Sequence, residues 1–96
     1  MHAVVRRYTG ASALNDLLAQ RSQEVEQLLR GVPGFVAYYA IRGGDGLATV
    51  TVCDDQAGTQ ESSRRAAAWV KEHVPASANL SAPQVTEGET ILDITA

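Results

Sequence analysis

Ninety-six residues suffice for one domain, taken here as residues 1–96, and not for two, since domains run to roughly 100–150 residues. With 45% hydrophobic and 20% charged residues and a formal net charge of −3, the chain has a globular profile that excludes disorder, and its eight Lys and Arg are too few to favour a nucleic-acid backbone. The lone cysteine, Cys53, excludes an intramolecular disulfide and every CxxC metal or redox motif, and no apolar run approaches the ~20 residues of a membrane span.

Residues 1–8 lack the basic region and long apolar stretch of a secretory signal, so a reducing cytoplasm is the expected location. The apolar set is small-bodied: fifteen residues are Ala, against twenty-two Leu, Ile, Val and Phe combined, so the core has little margin and association with a second copy would relieve it. Residues 2–9 are β-branched and aromatic and predict a first strand, ended by Gly10. Ser12 as N-cap and Asp16 in the first turn open a helix over 12–30. Its apolar stripe is Leu14, Leu17, Leu18, Val25, Leu28 and Leu29, and Gly31 in a left-handed conformation followed by Pro33 ends it. Phe35–Arg42 reads as a strand with Phe35, Ala37, Tyr39 and Ile41 on one face and Val36, Tyr38 and Ala40 on the other, both apolar enough to be covered.

The glycine-rich residues 43–46 make a hairpin into Leu47–Asp54, where Ala48, Val50 and Val52 oppose Leu47, Thr49, Thr51 and Cys53. Thr59 caps a second helix that Pro75 stops at about His73 or Val74. Its core stripe is read as Ser63, Ala67, Val70 and Val74, with Ser62, Ala66, Trp69 and His73 at the margin. Residues 76–84 form a loop with room for one helical turn, and Val85–Ile94 closes the chain as a strand with a bend at Gly88. The order β-α-β-β-α-β predicts a ferredoxin-like α+β fold: a four-stranded antiparallel sheet with two helices on one face. The other face is then bare, and a second chain is its simplest cover.

Residues 31–35, the glycine-rich hairpin before Thr49–Val52, Glu61-Ser62 through Ala68-Trp69-Val70, and Val85–Glu89 together resemble the dimeric α/β-barrel proteins related to antibiotic biosynthesis monooxygenases. The resemblance spans nearly the whole chain. It implies a homodimer joined through its sheet faces, with a small-molecule pocket between each subunit's sheet and helices. It further implies a cofactor-independent oxygenase acting on an aromatic, quinol-like or polyketide-like molecule. The haem-degrading branch uses an Asn on the first strand and a haem-ligating His along the second helix. Here the first strand has no Asn and His73 falls almost at the helix end, which points away from haem and to no cofactor.

Trp69 and His73, four apart on the second helix, share a face, where an indole wall and an imidazole proton acceptor would suit an aromatic substrate. The alternative is that Trp69 only packs over the sheet edge and His73 sits exposed near the helix C-terminus. Tyr38 and Tyr39 are adjacent on a strand and point to opposite faces, one of them toward the pocket. The same alternation separates Arg6 from Arg7, so one is buried against a carboxylate or an anionic ligand, whereas Arg64-Arg65 reads as a solvated helix face. The candidate catalytic groups are therefore His73, Tyr38 and Tyr39, and the candidate pocket residues are Tyr8, Arg6, Ser62 and Trp69. Two histidines at positions 2 and 73 give no metal-ligand spacing, and neither a GxGxxG, a P-loop nor a GxSxG elbow occurs. A metabolite-binding module without turnover is the alternative function, since fold does not imply function.

Overall fold

Four runs of β-forming residues pair into one antiparallel sheet in the computed structural model, which describes residues 1–44, 46–75, 78 and 80–96. The strands are β1 (His2–Tyr8), β2 (Phe35–Gly43), β3 (Gly46–Cys53) and β4 (Gln84–Glu89), in the spatial order β2-β3-β1-β4. The helices are α1 (Ser12–Gln20), α2 (Ser22–Arg30) and α3 (Gln56–His73). This is the ferredoxin-like α+β arrangement, with its first crossover made of two helices where the sequence predicts one. The break falls at Arg21 (φ −114°, ψ 32°). Positions 19–24 are exposed all round, so no packing holds that turn to the sheet, and the Leu and Val periodicity on either side does not register the gap.

Registry divides the sheet into two unlike faces. Arg6 pairs with Thr49 and Val85, Tyr8 with Leu47, and Tyr38 with Thr51, so these side chains share the face beneath the helices. On β3 the buried positions are Leu47, Thr49, Thr51 and Cys53. The opposite face collects Ala3 and Val5, Ala48, Val50 and Val52, and Ala37, Tyr39 and Ile41, with no helix over it. There Tyr39 is 62% and Ile41 55% exposed. Phe35 departs from the predicted alternation: a bulge between Phe35 and Ala37 leaves Val36 without a partner and sets Phe35 opposite Cys53, on the helix side.

Several expected signals lie elsewhere. No side chain caps α1, whose N-cap is Ala11, and Asp55 rather than Thr59 caps α3, its carboxylate accepting from Gly58 N–H at 3.1 Å. Gly31 is right-handed (φ −78°), and the left-handed residue is Gly34 (φ +72°). Gly31 serves close approach, since a Cβ there would meet the Arg65 guanidinium at 2.8 Å where Arg65 reaches across to donate to Leu28 C=O at 3.0 Å. Glu61 steadies that arginine at 2.8 Å. On α3 the buried residues are Gly58, Thr59, Ser62 and Trp69 while Ala67 is exposed, so the two predicted stripes exchange roles. β4 stops at Glu89 because β1 begins opposite it at His2; Thr90 N–H makes one further bond to Met1 C=O at 2.9 Å, and Ile91, Leu92 and Ile94 project into solvent. In the predicted loop Ala78 N–H closes a turn on Pro75 C=O at 3.0 Å, and Ala76, Ser77 and Asn79 lie outside the described residues, as does Asp45 of the hairpin.

Gly58 marks the tightest junction of helix and sheet. A Cβ at this position would lie 2.7 Å from both the Cys53 Cβ and the Pro33 carbonyl oxygen. Alanine gains about 1 kcal/mol over glycine in a helix, but overpacking against backbone costs about 1–3 kcal/mol. Gly58→Ala is therefore expected to lower the stability measured by urea unfolding, opposite in sign to its helix propensity.

Candidate functional site

The site is built where the helix side of the sheet turns polar. Arg6 is only 5% exposed. Its guanidinium donates to Ser63 Oγ on α3 at 2.5 Å and to Thr51 Oγ1 on β3 at 3.4 Å. Among the described residues no carboxylate stands within 4.0 Å of it; the ion pairs formed are Arg21–Glu24, Arg30–Glu26, Arg42–Asp16, Arg64–Glu61, Arg65–Glu61 and His73–Glu24. Burial pulls the Arg6 pKa down, partly offset by Tyr8, Tyr38 and Glu87 nearby. The same burial pushes the Tyr8 and Tyr38 phenols up, against the pull of Arg6, so both remain neutral hydroxyls at physiological pH.

Arg6 and Tyr8 line two separate spaces. A cavity of about 40 Å³ under the helices is bounded by Arg6, Tyr8, Tyr38, Thr49 and Trp69, with leucines behind. A cleft of about 590 Å³ between α3 and β4 is bounded by Arg6, Tyr8, Ser63, Val70, Leu80 and Val85, with Lys71 and Glu87 also on its walls. The cavity has room for about one water-sized group, since a liquid water occupies about 30 Å³, whereas the cleft has room for a ring system. A third groove of about 440 Å³ runs between α2 and β2, but its charged residues Glu26 and Arg30 are already paired at 2.8 Å.

Of the sequence candidates, Arg6, Tyr8, Tyr38 and Trp69 come together at the cavity. Tyr39 lies on the opposite face of the sheet. Ser62 is fully buried and donates to Thr59 C=O at 2.7 Å, and its neighbour Ser63 is the residue that meets Arg6. His73 stacks on Trp69 with ring centroids 4.5 Å apart and an interplanar angle of 22°. Its Nδ1 faces Trp69 C=O at 2.9 Å and its Nε2 faces Glu24 Oε1 at 3.0 Å. Trp69 Nε1–H donates to that same carboxylate at 3.0 Å. The imidazole is thus part of a clasp joining α2 to α3, with both nitrogens turned to acceptors, and it lines neither the cavity nor the cleft. Among the described residues no three His, Cys, Asp or Glu side chains converge as metal ligands would. Ser63 and Glu24 escaped the sequence reading: Ser63 is one helical step of about 100° from the favoured Ser62, and Glu24 lies 45 residues from Trp69.

No protein-family model matches the chain, and no curated protein matches it. Solved structures do. A Nitrosomonas europaea protein of unknown function, NE2512, superposes with a TM-score of 0.72 at 23% identity, over 99% of this chain and 93% of its own. The haem-degrader MhuD of Mycobacterium tuberculosis gives 0.67 at 20%, over 99% and 100%. A mutant form of SnoaB, a cofactor-independent oxygenase of Streptomyces nogalater, gives 0.61 at 20%, over 99% and 97%. The chain therefore has the ferredoxin-like fold that antibiotic biosynthesis monooxygenases and haem degraders also use, and the expected resemblance to that group holds at the level of fold.

The clasp carries a pH dependence. Glu24 is held below its ordinary value of 4.5, first by the Trp69 indole bond and then by Arg21. A carboxylate whose pKa is lower folded than unfolded stabilises the protein above the unfolded value, and that contribution is lost as pH falls through the folded one. Acidification below 4.5 should loosen the clasp and change the fluorescence of Trp69, the only tryptophan; Glu24→Gln should flatten that acid response without altering the neutral-pH helix content.

Proposed function

We propose that the protein is a homodimeric, oxygenase-like small-molecule binder whose α3–β4 cleft takes an aromatic, quinol-like substrate and oxidises it with O2 without a cofactor. The observation that carries this reading is the cleft of about 590 Å³ ending on Arg6 and Tyr8 beside the cavity walled by Trp69 and Tyr38. Aromatic and aliphatic walls with a few aimed polar groups are what a planar substrate requires. The demand on the protein is modest: exclude water, and favour the ionised phenol whose electron-rich ring reacts with O2. A phenol and one O2 then give a quinone and one water, one oxygen atom joining the ring and the other leaving with the hydrogens lost from ring carbon and hydroxyl. Arg6 favours the ionised oxygen by its charge, and Tyr8 and Tyr38 offer hydroxyl donors to the same oxygen. The fold shared with SnoaB supports the reading.

One observation favours the second reading, a binding module without turnover. His73 is turned to Trp69 C=O and Glu24 and lines neither the cavity nor the cleft, and burial raises the Tyr8 and Tyr38 phenols, so the cavity holds no ready proton acceptor. The two readings separate on oxygen uptake with naphthol and anthrone substrates. The oxygenase reading expects uptake with one quinone per O2, and a drop of roughly tenfold in kcat/KM for Tyr38→Phe, the loss of one hydrogen bond to a charged oxygen. Ligand binding with no uptake under air would leave the module.

The dimer is argued from the sheet. Its helix-free face presents Val5, Val50, Val52, Tyr39 and Ile41, an apolar surface that a second copy would cover. Val50→Lys places a charge at the centre of that face and is expected to convert a dimer to a monomer in light scattering at micromolar concentration, with the circular dichroism unchanged. A wild-type monomer would refute the assembly.

A further inference from the structure

We propose that Arg6 is the counter-ion for an anionic oxygen, a carboxylate or an ionised phenol, carried by the aromatic molecule that the cleft binds. The inference rests on the cleft reading above and names the charge class of its ligand. A guanidinium offers five N–H donors and a permanent charge. Arg6 is almost wholly withdrawn from solvent; among the described residues its hydrogen bonds go to two hydroxyl oxygens, Ser63 Oγ and Thr51 Oγ1, and Glu87, whose charge is felt there, forms no ion pair with it within 4.0 Å. Hydroxyl dipoles solvate a cation but do not neutralise it. Removing a cation from water costs several kcal/mol, and a well-packed apolar side chain of similar length would fill the space at lower cost. The other six arginines either hold a carboxylate within 4.0 Å or, as Arg7 does, stand exposed.

The volumes fix how such a ligand would sit. Arg6 and Tyr8 border both spaces. An oxygen-bearing group fits the cavity of about 40 Å³, while its ring needs the cleft of about 590 Å³. Lys71 and Glu87 on the cleft walls are of opposite sign, and of the three charged side chains there Arg6 is the one that also lines the cavity. A bidentate carboxylate or a single phenolate oxygen would complete the donor set of Arg6, and the cation's share of the desolvation is already met in the folded chain.

Three ring compounds of matched size test this by calorimetry on the full chain: para-nitrobenzoate, para-nitrophenol and neutral para-nitroanisole. Wild-type protein is expected to bind the anions more tightly than the anisole. Arg6→Met should weaken the anions by about tenfold to a hundredfold, the worth of a hydrogen bond to a charged group, and leave the anisole unchanged, with Arg6→Lys restoring part of the difference. The two anions separate the sources: tightening confined to the benzoate assigns a carboxylate, and yellow, ionised para-nitrophenol bound below its own pKa assigns a phenolate. Equal affinity for all three, or anion binding unaffected by Arg6→Met, overturns the inference and leaves the cleft reading standing. Binding of none overturns both. Should Arg6→Met fail to fold, Ser63→Ala releases one brace on the guanidinium, and an unchanged anion-to-anisole ratio in that variant counts against the proposal.

Discussion

The two-sidedness of the sheet is the constraint on which the remaining structure depends. Strand alternation gives each residue one face, and here the helices cover the more polar one: Arg6, Thr49 and Thr51 lie beneath them, while Val5, Val50 and Val52 lie on the side without helices. In an ordinary two-layer fold the apolar face turns inward. The covered face also carries Val4, Leu47 and Cys53, so its polar groups sit within the core, and the arrangement has two effects at once. It supplies a buried charge and hydroxyls where a pocket can use them, and it leaves an aliphatic surface where a second copy can close the fold.

The price of the arrangement is a thin core. The largest fully buried side chains are Val4, Thr51, Thr59, Cys53 and Ser62, none larger than valine. Trp69 compensates by joining the cluster of Ala11, Leu14 and Leu47 from the α3 side, with Leu17, Leu18, Val25 and Leu28 packed around it. Its indole N–H needs an acceptor, and Glu24 provides one from α2. The roof of the cavity is therefore held by the same residue that fills the core, which ties the shape of the site to the packing of α2 on α3. The hydroxyl-lined middle of the sheet is possible only because Thr51 accepts from Arg6, Ser62 donates to Thr59 C=O, and Thr59 donates to Gln56 C=O.

Much of this was legible in the residues themselves, and what escaped shares a physical cause. The β2–β3 hairpin follows from alternating apolar and polar residues around glycines, and alternation alone puts Tyr38 and Tyr39, or Arg6 and Arg7, on opposite faces. Which face the helices cover is a tertiary fact, and it decides that Tyr38 and Arg6 reach the cavity while Tyr39 and Arg7 do not. A bulge reverses the parity of Phe35 by a single residue, beyond the reach of a period-two pattern. Helix phase at α3 failed by a single 100° step: the sequence favours Ser62 for the pocket, and the structure brings Ser63 to Arg6. Val85–Ile94 reads as a strand by composition, but strand length is set by the partner, and β1 provides none past His2.

The clasp shows why adjacency on a helix is weak evidence for chemistry. Trp69 and His73 share a face as their spacing requires, and the rings do stack. Yet a four-residue spacing says nothing about what approaches from outside the helix. What approaches is Glu24, whose carboxylate takes the indole N–H and the imidazole Nε2 together at 3.0 Å each. With Nδ1 turned to Trp69 C=O and Nε2 to Glu24, both nitrogens face acceptors. A histidine so held belongs to the junction of α2 and α3 and lines neither the cavity nor the cleft. The charged side chain that lines both the cavity and the cleft is Arg6, and a guanidinium carries its charge without the change of protonation that an imidazole needs.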